Sequence, residues 1–252
     1  MRTALVTGGG RGIGRAIAIA LGGRATTVVV AGRTRRDLLS AAKEIGALGG
    51  KTLAVTMDVS DPKSVSRGMA QVRKAIGRVD VLVNNAGIGG GERVAGSDVE
   101  RWRKTIDTNL VGMYLVSREA VPLMRPGGRI VNLSSVLGRF GVPGYTAYCA
   151  SKHGVLGFTR ALALELADQK VTVNALCPGW VDTEMAAEGM HQGAEENGWT
   201  FEQFRERALS NVPIKRIIQP KEVADLVRFL ASPGASAITG QTYNICGGQT
   251  MD

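Results

Sequence analysis

Cysteine, histidine and long apolar runs are all scarce in this 252-residue chain, and each scarcity removes a class of protein. The three cysteines, Cys149, Cys177 and Cys246, are an odd number at no metal-like spacing. That leaves neither a disulfide framework nor a zinc site, and they read as small buried apolar residues. The two histidines, His153 and His191, stand far apart with no carboxylate pattern around them, so no metal is expected. His153 adjoins Lys152 and reads as a packing residue. No apolar run approaches the ~20 residues that span a bilayer. The run that begins at Ala4 is broken at once by glycines and Arg11, unlike a secretory signal. The expected compartment is a reducing cytoplasm, with no membrane partner.

Acids are scarce at one end. Residues 1–43 carry eight basic side chains (Arg2, Arg11, Arg15, Arg24, Arg33, Arg35, Arg36, Lys43) against one acid, Asp37, and so hold most of the net charge of +9. A nucleic-acid binder shows aromatics or a recognisable module within its basic stripe; this stretch has neither. A small polyanion bound near the N-terminal end accounts better for the asymmetry.

What is plentiful is glycine, with 34 residues, and a regular alternation of short β-branched runs with helical patterns. Strands are expected at 4–7, 27–31, 52–56, 79–83, 129–133, 171–176 and 241–245. Between them, Leu38, Ala41, Ala42, Ile45 and Leu48 keep a 3.6-residue period, as do Val65, Met69, Val72 and Ile76. Ser60-Asp61-Pro62 is a helix-start signal. The strands are nearly continuous apolar runs, as expected where helices cover both faces of a sheet. The expected architecture is α/β: one domain over residues 1–252, a doubly wound parallel sheet of Rossmann type. One segment breaks the rhythm, residues 184–211, with Trp199, Phe201 and Phe204 close together. An insertion of this length in a compact domain reads as a substrate lid.

Gly8-Gly9-Gly10-Arg11-Gly12-Ile13-Gly14 follows the first strand and opens the first helix. Glycines there let backbone amides approach a pyrophosphate at a helix N-terminus. An NAD site wants an acid at the end of the second strand, for the ribose hydroxyls. This chain reads Gly32-Arg33 there and has no acid between Gly14 and Asp37. A cation pairs with a ribose 2′-phosphate that an acid would repel, so NADP(H) is favoured, with Arg11 close enough to share the task.

Tyr148 and Lys152, four apart, share a helix face. A free tyrosine titrates near pH 10, and lowering it by about three units needs roughly 4 kcal/mol of preferential stabilisation of the phenolate. A neighbouring ammonium, together with the positive nicotinamide of an oxidised complex, is the right kind of source. Ser135, at the end of the 129–133 strand, is placed to polarise the same carbonyl.

On these features the chain, over residues 3–248, resembles the short-chain dehydrogenase/reductase family. The resemblance extends to Asp58-Val59, Asn84-Asn85-Ala86-Gly87, Asn109, Ser134-Ser135, Pro178-Gly179 and Thr183. It implies a catalytic tetrad of Asn109, Ser135, Tyr148 and Lys152. Tyr148 would be the general acid, Ser135 would hold the substrate oxygen, and Lys152 would contact the nicotinamide ribose and lower the tyrosine pKa. Asn109 would hold a water relaying protons to Lys152. It further implies adenine contacts at Asp58 and Val59, a sheet-stabilising role for Asn84-Asn85-Ala86-Gly87 with cofactor contacts at Asn85, Ala86 and Gly87, and nicotinamide contacts at Pro178, Gly179, Val181 and Thr183.

The residues expected to line the substrate site are apolar or aromatic: Ile88, Val136, Leu137, Val142, Pro143, Tyr145 and Trp180. They favour an acyl or aromatic ketone over a small keto acid. Stretches such as Asn244-Ile245-Cys246-Gly247-Gly248 resemble 3-oxoacyl thioester reductases and polyketide ketoreductases. Those polyketide enzymes carry Pro-Gly-Gly after Asn-Asn-Ala-Gly, where this chain has Gly89-Gly90-Gly91. Docking of a carrier protein is doubtful, because Gln169 stands where a basic residue is common. Two other readings stay open, a 3-hydroxybutyrate-type dehydrogenase using NAD and a non-catalytic NADP-binding regulator. The family resemblance implies a homotetramer, or failing that a dimer.

Overall fold

The computed structural model describes residues 2–251; Met1 and Asp252, counted within the expected domain, lie outside the described residues. The strands are β1 (Arg2–Thr7), β2 (Thr26–Gly32), β3 (Lys51–Thr56), β4 (Val81–Asn84), β5 (Arg129–Leu133), β6 (Thr172–Pro178) and β7 (Thr242–Ile245). Between them run α1 (Gly12–Leu21), α2 (Arg35–Ala47), α3 (Pro62–Ala75), α4 (Val99–Ile106), α5 (Gly112–Ala120), α6 (Thr146–Glu165), α7 (Glu184–Asn197), α8 (Phe201–Ser210) and α9 (Pro220–Leu230). All seven expected strands form, each within two residues of its expected ends.

The strands make one parallel sheet in the order β3-β2-β1-β4-β5-β6-β7. Side chains alternate between two cores. Ala4, Val6, Val28, Val30, Val131 and Leu133 face the layer of α1, α2 and α9. Leu5, Val29, Ala31, Leu82 and Ile130 face the layer of α3, α5 and α6. Burial on both faces explains why these strands carry no polar alternation. Burying one Val, Leu or Ile side chain contributes about 1.5–3 kcal/mol, so Ile45 on α2 and Met69 on α3, both fully buried, anchor their helices. The predicted helix start holds: Asp61 accepts from the Lys63 amide at 2.9 Å ahead of Pro62. Leu48 departs from the predicted period. The helix has ended at Ala47, and Leu48 is 54% exposed.

The order of connection reverses between β1 and β4. There the helices diverge to opposite faces and leave a crevice at the carboxyl ends of the strands. A polar seam braces this point. Asn84 Nδ2 donates to Ser117 Oγ and to Asn132 Oδ1, both at 2.9 Å, and Asn132 Nδ2 donates to Thr159 Oγ1 at 2.9 Å. The amides of Asn85 and Ala86 both donate to Thr7 Oγ1, tying the end of β4 to the end of β1.

The long segment after β6 folds as α7 and α8. Thr200 and Gln203 form a reciprocal capping box at the start of α8, and Gly198 ends α7 in the left-handed region at φ 66°. Phe204 lies directly over Gly193, and the rings of His191 and Phe201 are 4.5 Å apart. These two helices hold together through their own small aromatic cluster, beside the main core.

Candidate active site

Backbone geometry builds the crevice floor. Gly8 and Gly12 have φ of 64° and 52°, a region L side chains rarely adopt. Gly14 has no room for a side chain: a β-carbon there would collide with the Gly8 carbonyl and the Asn85 amide. The substitution Gly14→Ala is therefore expected to cost about 1–3 kcal/mol through overpacking, measurable as a lower unfolding midpoint together with weakened nucleotide binding. Gly12 packs against Thr183: a β-carbon there would lie 3.4 Å from the Thr183 methyl. Arg11 caps α1 with extended backbone and without a side-chain capping hydrogen bond, and no acid stands in the first turn. The first-turn amides, Ile13 among them, are thus directed at an anion by the helix dipole.

Arg33 is exposed at the end of β2, close to Asp58. Burial opposes ionisation of Asp58, but hydrogen bonds from Ser60 and the charges of Arg33 and Lys104 outweigh it and hold the carboxyl below its ordinary range. Val59 is buried against Gly112. Arg15 turns away to Glu44 and Ser40, and Arg36 to Asp37. Arg33 stands near Asp58 together with Lys104. Arg11 reaches Glu184, at the start of α7, with a 3.2 Å ion pair that sequence reading did not find. A glycine cradle, free helix amides and a cation where NAD sites carry an acid fit a phosphorylated dinucleotide.

At the far side, Pro178 closes β6 beside Ile245, and Gly179 packs on Cys246. Val181 is buried and bridges to Ile218. Thr183 caps α7: its Oγ1 accepts from the Ala186 amide at 3.3 Å and donates to the Val181 carbonyl at 3.2 Å.

The four predicted catalytic residues come together over this floor. Ser135, directly after β5, accepts from the Leu137 amide at 3.2 Å and is hydrogen-bonded to the Tyr148 hydroxyl. Lys152 is 5% exposed; its Nζ donates to the Leu133 carbonyl at 2.9 Å and lies 5.5 Å from the centre of the Tyr148 ring. Asn109 sits in a π-helical turn, Asp107–Val111, between α4 and α5. Gly87 marks the meeting point: a β-carbon there would lie 3.2 Å from Asn109 Oδ1 and 3.7 Å from Lys152 Nζ.

The surroundings bear on three expectations. The first concerns acidity. Desolvation pushes the Tyr148 hydroxyl up to about 12, against the hydrogen bond from Ser135, and pushes Lys152 down to about 8. The phenol is less acidic than in water, because it is half-buried beside fully buried Lys152 and the ammonium makes its close contact with a carbonyl. The second concerns Asn109. Its side chain clamps the Ile88 backbone, accepting at 2.8 Å and donating at 3.0 Å, and donates to Ser151 Oγ at 3.2 Å. It holds the loop after β4 against α6, and Ser151 in turn donates to the Tyr148 carbonyl. The third concerns His153, which is exposed and contacts the Cys149 carbonyl at 2.9 Å, so it is not a packing residue. Cys177 and Cys246 are buried as expected, while Cys149 is half-buried. Among the described residues no His/Cys/Asp/Glu cluster could hold a metal, and no helix is long and apolar enough to cross a membrane.

Comparison with known proteins agrees with this geometry. A family model described as enoyl-(acyl carrier protein) reductase matches residues 8–250. A putative ketoacyl reductase of Streptomyces coelicolor is 43% identical over 249 residues, covering 97% of this chain and 95% of the relative. A 3-oxoacyl-(acyl-carrier-protein) reductase of Synechocystis is 41% identical over 256 residues, covering 99% of this chain and 97% of the relative. Among solved structures, a variant of actinorhodin polyketide ketoreductase with NADPH matches with a TM-score of 0.93 and 42% identity, covering 98% of this chain and 97% of that one. With the glycine turn, the Tyr148/Lys152 pair and these matches over nearly its whole length, the chain belongs to the short-chain dehydrogenase/reductase family of oxidoreductases.

Proposed function

We propose that the protein reduces a ketone to a secondary alcohol with NADPH, acting on a 3-oxoacyl thioester or a polyketide-type carbonyl. The observation that carries this reading is the convergence of the Ser135 and Tyr148 hydroxyls with buried Lys152, above a glycine turn at the sheet's switch point. Gly8, Gly12, Ile13 and Gly14 would hold the pyrophosphate, Arg33 and Arg11 the 2′-phosphate, and Asp58 and Val59 the adenine. Asn85, Ala86 and Gly87 would border the ribose; Tyr148, Lys152, Pro178, Gly179, Val181 and Thr183 would surround the nicotinamide end. When bound, NADPH supplies the hydride.

The chain's own residues do the rest. Ser135 and Tyr148 hold the carbonyl oxygen from two sides, and Tyr148 gives it a proton as the alkoxide forms. Because an alkoxide is a far stronger base than a phenolate, a tyrosine held high in pKa still protonates it downhill. Lys152, fixed by the Leu133 carbonyl, keeps a positive charge next to the phenol as it loses its proton. Asn109 positions the loop from Ile88 onward. The helices α7 and α8 form a lid over the cleft. The names of the relatives, which denote ketoacyl and 3-oxoacyl reductases, support the substrate class. The cation at Arg33 speaks against the 3-hydroxybutyrate alternative with NAD, and the assembled Ser135–Tyr148–Lys152 group against a silent regulator. We further infer a homotetramer acting in the cytoplasm, with sedimentation as the check on assembly.

The direct experiment follows NADPH oxidation with a β-ketothioester and with a plain cyclic ketone. Tight NADPH binding without turnover of either would overturn the assignment. The pH profile has a defined sign. Lys152, held at about 8, loses its charge above that pH, so kcat/KM for reduction is level below it and declines above. Alcohol oxidation needs Tyr148 without its proton and Lys152 with its own, so its rate climbs with pH up to about 8 and levels off above.

A further inference from the structure

The helix α7 touches the loop after β4 at two points. Met185 lies against Gly89: a β-carbon there would sit 3.3 Å from Met185 Cγ. Two turns later, Gln192 meets Gly91 with both ends of its amide. Nε2 donates to the Gly91 carbonyl at 2.9 Å, and Oε1 accepts from the Gly91 N–H at 3.4 Å. Glu196, one turn on, fixes the orientation by accepting from Nε2 at 2.8 Å. A flipped amide would turn its oxygen toward that carboxylate.

Gly91 is closed from its other side by Tyr145. It is buried, and a β-carbon there would sit 2.8 Å from Tyr145 Cε2 and 3.1 Å from the Gly144 carbonyl. Tyr145 caps α6, the helix that carries Tyr148, and stands near both Tyr148 and Glu196. One tyrosine ring therefore separates the reacting hydroxyl from the Gln192–Gly91 contact.

We propose that Gln192 sets how long a substrate arm the cleft accepts on the Tyr145 side. Its two hydrogen bonds to Gly91 clasp the lid to the loop and shut that end. A ketone with a short arm there fits beneath the clasp, and one with a long arm must break it. The proposal rests on the ketone-reductase reading. Gln192 is a positioning residue: it meets the loop, while Ser135 and Tyr148 meet the carbonyl.

The test compares the wild type with Gln192→Ala and Gln192→Met. The probes are the N-acetylcysteamine thioesters of acetoacetate and of a medium-chain 3-oxo acid, with NADPH affinity read separately by fluorescence. Gln192→Ala should raise the kcat/KM ratio of the longer to the shorter thioester by about tenfold, mainly through KM, as expected for opening a pocket by a few methylenes. NADPH affinity should not change. Gln192→Met keeps the length but cannot donate and accepts only weakly, so it should shift the ratio the same way; wild-type behaviour in that variant would overturn the clasp. A ratio unchanged in both variants, with NADPH binding intact, would also overturn it. A wild type that binds NADPH but reduces neither thioester would defeat the ketone-reductase reading, and this proposal with it.

Discussion

Replacing Tyr148 with phenylalanine should lower turnover by about three orders of magnitude, the range that a positioned general acid contributes, while NADPH affinity stays nearly constant. The ring keeps its place on α6, so the packing that flanks the nucleotide crevice persists. Ser135 loses its hydrogen bond to the phenol but keeps the one from the Leu137 amide. The change thus removes the proton donor and one of the two groups holding the carbonyl oxygen, and little else. Single-turnover kinetics with saturating NADPH would separate the chemical step from binding. Because desolvation raises the Tyr148 pKa, deleting its hydroxyl removes a buried polar group, and the variant should be no less stable than the parent. Activity within tenfold of the wild type would mean that the proton comes from elsewhere.

Arg33→Asp should reverse cofactor preference, changing the NADPH-to-NADH ratio of kcat/KM by about a hundredfold or more, equivalent to some 3 kcal/mol. The substitution turns an attraction for the 2′-phosphate into a repulsion and supplies an acceptor for the ribose hydroxyls. Asp58 changes with it. Arg33 is one of the charges that hold the Asp58 carboxyl low, so removing that cation raises its pKa, and Ser60 and Lys104 are left to keep it ionised. Arg11, partly engaged with Glu184, is untouched by the substitution, so residual NADPH binding is expected. Dissociation constants for both nucleotides, measured by fluorescence at one ionic strength, would show the reversal. An unchanged ratio would place the 2′-phosphate against Arg11 or another cation.

Much of this could be read from local pattern. The β-branched runs became strands within two residues of where they were expected, because a strand buried on both faces needs a continuous apolar stretch. The glycine turn was recognisable because its glycines meet conformational and contact demands that other residues fail. Tyr148 and Lys152 share a helix face through their spacing alone. The bare motif could not supply the environment. It placed an ammonium beside a phenol and suggested an acidic tyrosine. The fold buried the ammonium, tied it to the Leu133 carbonyl and half-buried the phenol, so desolvation prevails. Asn109 illustrates the same limit, since its amide is spent on the Ile88 backbone and Ser151, partners that no motif records.

The contacts that were invisible join residues far apart in the chain. Arg11 meets Glu184, and Gln192 meets Gly91, each across a hundred residues or more. Neither pair carries a period, a spacing or a composition signal. Repeating short-range constraints, such as apolar periodicity, helix starts and left-handed glycines, are written into neighbouring residues, so class, topology and the identity of the reactive groups follow from the chain in order. Desolvation and cross-cleft hydrogen bonds depend on which surfaces are brought face to face and emptied of water. They exist only once the sheet, its two helical layers and the lid have closed around one another.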